Sequence, residues 1–356
     1  MSYSLLVVFI FVILAFMAMY MMYLPRCNEY SNSLSFKMNM LAFPYIYFIY
    51  ALGAVGAYFS LANNDFVEDL TLHRFLLPLL LSAIIYGASL IFYTFSFSIV
   101  VIACIAATVW IQPIGVGNVF PDIPVWAFRL LLVVLFSVYC LGIKILNMLP
   151  HTFIVPQSIV CVGLIFLGII GAAPLYTSAC AGLLLGTMCA YMIMNYYSVK
   201  IDLDDGACVG ITYLISSLLL MNVGEFNFVS CIMFTLVFWA ELTVAVFNKF
   251  IGERRQNLAE NTNYYLAAEK YNVTVLTTGM IKIGLVVCLL AWFQLFSVNM
   301  YSLIIVSGII TIWLNGSIGK PFHGLRSIKD INKEFVSDLK KNIEDTKNIF
   351  NPKDKQ

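Results

Sequence analysis

Charged residues are scarce in this chain. Asp, Glu, Lys and Arg make up 11% of its 356 residues, whereas hydrophobic residues make up 61% and the mean hydropathy is +0.90. Soluble domains carry about 25% charged residues, so this composition excludes an ordinary soluble protein. The formal net charge of +1 says little about partners, and we expect no nucleic-acid partner. The composition predicts an all-α polytopic membrane protein.

Paired cysteine motifs are also absent. The chain has nine cysteines, but none of them forms a CxxC pair. Most lie within apolar runs, so we interpret them as small buried residues rather than as disulfides or metal ligands. The N-terminal run 3–23 lacks both a basic start and a small-residue cleavage pattern, so we predict a retained helix there and not a removed signal peptide.

Apolar runs long enough to cross a bilayer recur along the chain. A hydrocarbon core of about 30 Å requires about 20 apolar residues per helix, and the runs predict about 10 to 11 transmembrane helices. The stretch 97–112 allows two interpretations. It is apolar but rich in β-branched residues, and it precedes the segment QPIGVGNVFPDIP, so it fits either an eleventh span or a re-entrant or surface element.

Charge asymmetry predicts which loops share a side of the membrane. Most Lys and Arg residues fall in one set of loops, which the positive-inside rule places in the cytoplasm. That set comprises 63–74, 147–152, 197–206, 249–275 and the tail from 317, while 94–125 forms a loop on the opposite side. Arg26, Lys37 and Arg129 do not fit this division. We predict a transmembrane domain over 1–318 and a charged amphipathic helix in the cytoplasmic tail 319–356.

Three polar clusters fall on this predicted cytoplasmic face and suggest a polar cleft. Asp65 and Glu68 are spaced i and i+3, which points both carboxylates the same way on a helix. Asp205 would add a third carboxylate, and such oxygen ligands suit Mg²⁺. Arg254 and Arg255 would neutralise phosphate charge. The alternative is that all of these are solvated loop charges. The clusters occupy 63–75, 195–210 and 252–272.

The same segments resemble, in order, the motifs of bacterial polyprenyl-phosphate N-acetylhexosamine-1-phosphate transferases. NDFVEDLTLHRF (64–75) is similar to the family's DDxxD segment. VYCLGIKILNMLP (138–150) is similar to a helix ending in NAxNxxDG, with Lys144 and Asn147 on the two Asn positions. NYYSVKIDLDDGACVG (195–210) is similar to the stretch that leads to a GDSGS-like catalytic turn. With the loop after 238, the resemblance covers about 60–300.

The resemblance implies transfer of a sugar-1-phosphate from a UDP-amino sugar to a polyprenyl phosphate, at the cytoplasmic face of a bacterial inner membrane, with Mg²⁺ or Mn²⁺ as cofactor. It implies catalytic roles for Asp65 and Asp205, and metal binding by Asp65, Glu68 and Asp205. A homodimer is a further expectation. The residues implied in substrate binding are Asn64, Asn147, Asn195, Lys200, Arg254 and Arg255.

Several motif positions depart from the family and keep other functions open. Asn64 replaces the first Asp of the acidic motif, Pro150 and His151 stand where DG is expected, and Asp204 replaces a glycine. The histidine motif of the late loop is missing as well. A catalytically inactive assembly partner is therefore one alternative. A transporter is another, which would require polar residues inside the spans, facing a pathway.

Overall fold

A computed structural model describes the backbone of residues 2–29, 35–61, 72–92, 94–112, 124–146, 150–169, 173–197, 203–223, 228–236, 238–239 and 242. The chain divides into two units, Met1–Thr311 and Ile312–Gln356, and all described residues belong to the first. The predicted tail helix over 319–356 lies outside the described residues and stays a prediction.

Every regular element in these described ranges is an α-helix, as the composition predicts. Leucine, isoleucine, phenylalanine and alanine fill the helices, and Pro44, Pro78 and Pro156 lie inside three of them without ending them. The helices are α1 (Ser2–Glu29), α2 (Ser35–Leu61), α3 (Leu72–Ile91), α4 (Thr94–Ile111), α5 (Val125–Leu146), α6 (Pro150–Ile169), α7 (Leu175–Tyr197), α8 (Asp205–Val223) and α9 (Phe228–Phe234).

Three of these helices, α5, α7 and α8, contain segments long and apolar enough to cross a membrane: Val125–Lys144, Leu175–Ile193 and Asp205–Asn222. Five others carry shorter apolar stretches of 10–17 residues. The protein is therefore all-helical where it is described and has the character of a polytopic membrane protein. The cysteine prediction is confirmed in the same ranges, because all seven described cysteines are free and six of them are buried.

Contacts between helices fix their directions. Tyr58 in the last turn of α2 packs against Tyr176 in the first turn of α7, with ring centroids 6.4 Å apart. Phe97 in the first turn of α4 lies 4.1 Å from the ammonium group of Lys144, in the last turn of α5. From α1 to α8, odd-numbered helices run toward the end of the bundle where α8 begins and even-numbered helices run away from it. We call these the Asp205 end and the Tyr176 end.

Helix α4 changes the predicted arrangement of the loops. Most of the stretch 97–112 belongs to a continuous 18-residue helix that runs antiparallel to α5, with Phe97 beside Lys144 and Trp110 beside Arg129, so 94–125 is not one loop. When one more helix is counted, every chain segment before it is assigned to the other end of the bundle. Leu61 and Leu72, which flank the unassigned acidic segment, therefore lie at the Tyr176 end. The end of α1 and the start of α2, which carry Arg26 and Lys37, lie at the Asp205 end.

Small residues let the helices approach closely. Gly182 and Gly186, four residues apart on α7, face α1, and a methyl group at Gly186 would collide with the Val12 carbonyl oxygen. Gly206 and Gly210 repeat this spacing on α8, where Gly206 faces Ser89 of α3. Such glycine pairs are typical of helix contacts inside membranes, because they permit backbone approach without a side chain between. The α3–α8 contact positions the start of α8, where the charges of this end lie.

Candidate functional site

Four charged side chains fall in the described part of the chain: Arg129, Lys144, Asp204 and Asp205. Three of them lie together at the Asp205 end, on two helices that are far apart in sequence. Arg129 is alone at the Tyr176 end. Charges at the ends of apolar helices are expensive to place away from water, so this grouping marks the Asp205 end as the candidate functional site.

Asp204 caps the start of α8. Its Oδ1 accepts a hydrogen bond of 3.0 Å from the Ala207 backbone N–H, and its carbonyl accepts the first helical bond, from the Cys208 N–H. This is the N-cap geometry that aspartate favours. Partial burial raises the pKa of the Asp204 carboxyl; the Ala207 N–H opposes that shift, and the charge of Asp205 adds to it. Asp204 therefore has a structural role.

Asp205, by contrast, presents its side chain to solvent from the first residue of α8. A carboxylate there is stabilised by the positive end of the helix dipole. It interacts electrostatically with Lys144 of α5 and with Asp204 beside it. Of the two neighbouring carboxylates, Asp205 is thus the more exposed one.

Lys144 completes the charge arrangement from the opposite helix. Its ammonium group lies over the ring of Phe97, and Phe97 itself is buried. A cation over an aromatic face is attracted to the ring, which restricts the lysine to a defined position. The result is one positive and one negative group, from α5 and α8, held at the same end of the bundle. That pairing can bind a phosphate through Lys144 and a cation through Asp205.

The contact between α3 and α8 fixes the position of Asp205 along the bundle. Ser89 packs directly on Gly206 and donates a 2.6 Å hydrogen bond to the Tyr86 carbonyl, so its hydroxyl is satisfied within α3. One to two turns further into the bundle, the Ser82 hydroxyl contacts the Gly210 carbonyl at 3.4 Å. The first two turns of α8 therefore pack closely against α3. This packing limits movement of the Asp205 carboxylate.

Polar side chains continue into the bundle, but most are satisfied locally. Thr212 and Ser216 each donate to the carbonyl one turn earlier in α8, at 2.8 Å. Such local bonds are the usual way for hydroxyls to be accommodated in apolar helices. Between helices, the Tyr139 hydroxyl donates to Gln157 Oε1 at 2.7 Å, and both residues are fully buried. That hydrogen bond joins α5 to α6.

The structure describes only one of the other predicted site residues. Asn195 belongs to the last turns of α7, which end at the Asp205 end. The helix ends on either side of the acidic segment, Leu61 and Leu72, lie at the Tyr176 end. The remaining predicted residues lie outside the described residues, and their roles stay predictions: Asn64, Asp65, Glu68, Asn147, Lys200, Arg254 and Arg255.

Within the described residues, no three His, Cys, Asp or Glu side chains are grouped so as to hold a metal ion. Lys144 is the charged residue of this end to which the sequence analysis gave no role. The sequence does contain a signal, because Lys144 occupies a motif position in the resemblance and is the one charge near the C-terminal end of the long apolar run before 147. Asp205 comes near Lys144 only because α5 packs on α8, which the sequence does not show.

Comparisons with known proteins leave the family resemblance as it stood. No protein-family model matches the chain. The search of curated proteins likewise finds no match. The functional argument therefore depends on the geometry of the Asp205 end.

Proposed function

We propose that the protein is a membrane transferase that moves a sugar-1-phosphate from a UDP-amino sugar to a polyprenyl phosphate at the Asp205 end. The observation that carries this proposal is that Asp205 and Lys144 lie at the same end of a largely apolar bundle, on two helices that pack together, close enough to interact electrostatically. A phosphorylated lipid would present its headgroup at that level while its chain lies along the helices. Phosphoryl transfer depends mainly on positioning and charge neutralisation, which these two groups supply.

A divalent cation is compatible with this site. Mg²⁺ keeps several waters and is commonly bound by one or two carboxylates together with substrate phosphates. Asp205 is exposed and provides one such carboxylate, whereas one Asp204 oxygen is already committed to the Ala207 N–H. Asp205 would hold the ion, and the ion would neutralise charge on the transferred phosphoryl group. Lys144 would bind a phosphate oxygen and orient the donor or the lipid.

The orientation follows from the revised helix directions. Arg26, Lys37 and Lys144 belong to helix segments at the Asp205 end and Arg74 and Arg129 to helix segments at the Tyr176 end, and this excess of three basic residues over two favours a cytoplasmic position for the Asp205 end. A cytoplasmic site suits a soluble nucleotide-activated sugar. The proposed setting is the inner membrane of a bacterium, as the family resemblance implies, and the proposed homodimer belongs to the same resemblance.

The test is turnover by the purified full chain. We expect UMP and a lipid-linked product when the protein is incubated with Mg²⁺, polyprenyl phosphate and a panel of UDP-amino sugars. Asp205→Asn and Lys144→Met should each lower the rate by about 100-fold or more, because each removes a charge that faces the reacting phosphates. Asp204→Asn is the matched control, since its amide oxygen can still cap α8. Loss of activity in this control alone, or no turnover with any donor, would refute the proposal.

A second candidate is a family-shaped membrane protein without catalytic activity, which acts as an assembly partner. One specific observation favours it: α2 ends and α3 begins at the Tyr176 end, away from Asp205. A complete family-like acidic site requires both segments on one face. This candidate predicts that a nucleotide sugar or a lipid phosphate binds without turnover, and that Asp205→Asn weakens this binding.

A further inference from the structure

Arg129 has no place in the proposed transferase site. It lies in the second turn of α5, at the Tyr176 end, and it is the only charged residue at that end whose side chain the structure describes. Its guanidinium lies 5.4 Å from the centre of the Trp110 ring of α4. Trp126 stands three residues before Arg129, on the same face of α5. We call Trp110, Trp126 and Arg129 the Arg129 corner.

The hydrogen-bonding capacity of Arg129 is largely unused inside the described protein. Its Nη1 donates to the Trp110 carbonyl at 3.4 Å, which is a long contact. Its Nε is buried and has no acceptor among the described residues. A guanidinium offers five donors, and a buried charged donor without an acceptor is costly. An acceptor that carries negative charge is therefore expected at this position.

The surroundings of the Arg129 corner indicate where such an acceptor comes from. Trp110 and Trp126 are 60% and 62% exposed, although both are large and apolar. Exposed tryptophans near helix ends are typical of the headgroup level of a bilayer. Below them, exposed apolar side chains follow α5 at intervals of four residues, over about 18 Å of helix. They are Trp126, Leu130, Val134 and Val138.

We propose that the Arg129 corner binds the headgroup phosphate of one anionic phospholipid, whose acyl chains lie along the exposed faces of α4 and α5. Arg129 supplies the charge and the donors, and the two tryptophans flank the glycerol region. The neighbouring face of α4 is also apolar and exposed, through Phe95, Ile99 and Ile102. Arginine suits this role because its planar fork matches two phosphate oxygens.

The experiment is a lipid titration of the delipidated full chain in detergent, followed by native mass spectrometry. Phosphatidylglycerol and phosphatidylcholine with the same acyl chains are compared. The wild type should retain one phosphatidylglycerol with an apparent Kd about tenfold lower than that for phosphatidylcholine, as expected for hydrogen bonds to a charged group. Arg129→Gln should abolish this preference, and Arg129→Lys should keep only part of it because the fork is lost.

The matched control is Arg74→Gln. Arg74 lies in the first turn of α3, at the same end of the bundle, and is not one of the three residues of the Arg129 corner, so this variant removes one positive charge from that end and leaves the residues of the corner unchanged. It should bind phosphatidylglycerol as the wild type does. Should Arg129→Gln fail to fold, Trp126→Ala serves instead and should weaken retention of both lipids, because it removes the flanking ring.

Three results would overturn the proposal. The first is equal loss of preference in Arg74→Gln and Arg129→Gln, which would indicate general surface charge. The second is unchanged retention in Arg129→Gln or in Trp126→Ala. The third is displacement of the lipid by soluble inorganic phosphate alone, which would make the corner an anion site and not a phospholipid site.

Discussion

Replacement of Gly206 by alanine is the sharpest test of how the candidate site is positioned. Gly206 is the second residue of α8, directly after Asp205, and it faces Ser89 of α3. A methyl group there would overlap both Oγ and Cβ of Ser89. The hydroxyl can rotate away, but Cβ is fixed by the backbone, so α3 and α8 must separate.

The size of the effect follows from overpacking. Extra methyl groups in close-packed interiors typically cost about 1–3 kcal/mol. Alanine also gains up to about 1 kcal/mol over glycine in a helix interior, which would hide part of that cost. Gly87→Ala removes this ambiguity, because Gly87 lies in α3 and a methyl group there meets nothing within 4 Å. Gly206→Ala should therefore have a free energy of unfolding about 1–3 kcal/mol below that of Gly87→Ala.

The assay is reversible unfolding in mixed micelles. It compares Gly206→Ala with Gly87→Ala, and it includes a double-mutant cycle of Gly206→Ala and Ser89→Gly. Ser89→Gly removes the overlapping atoms, so the double variant should recover most of the loss, with a coupling energy of about 1 kcal/mol or more. If Gly206→Ala is as stable as Gly87→Ala, or if the cycle shows no coupling, then α3 and α8 do not make the close contact at Gly206 and Ser89.

Two further predictions concern the polar groups near the site. Because burial raises the pKa of Asp204 in the folded state, its contribution to stability is greatest below the unfolded value of 3.8 and falls as the pH rises through the folded pKa. Asp204→Asn should remove this part of the pH dependence in unfolding measured from about pH 4 to about pH 8, and an unchanged profile would contradict the burial of that carboxyl. Tyr139→Phe leaves the buried Gln157 without its 2.7 Å partner and should cost about 1–3 kcal/mol, and adding Gln157→Leu should recover much of that loss. Equal stability of the single and double variants would show that the pair is not formed.

Much of the helical framework could be predicted from the sequence, because a bilayer demands long apolar runs and this chain has them. The buried cysteines followed from the same reasoning. The sequence of 97–112 allows either an eleventh span or a re-entrant or surface element, because its β-branched residues and the prolines that follow do not favour a long helix. In a packed bundle, that tendency is overridden by burial of Val101, Ile105 and Val109 against neighbouring helices.

That one helix also explains why the site was only partly predictable. Sequence motifs give an order along the chain, but the end of the bundle at which each motif lies depends on the number of helices before it. With α4 included, the flanks of the acidic segment move to the end opposite Asp205. Lys144 and Asp205 are 61 positions apart, and only the packing of α5 on α8 brings them together.

The position of α4 can be measured directly by cysteine labelling. Phe92 is exposed between α3 and α4, and Pro124 is exposed just before α5. Single cysteines at these two positions, in a chain without its native cysteines, are treated in intact cells with a membrane-impermeant maleimide. We expect one position to react and the other to react only after the membrane is opened. Labelling of both from the same side would show that α4 does not cross, and would contradict the helix directions on which the proposed site depends.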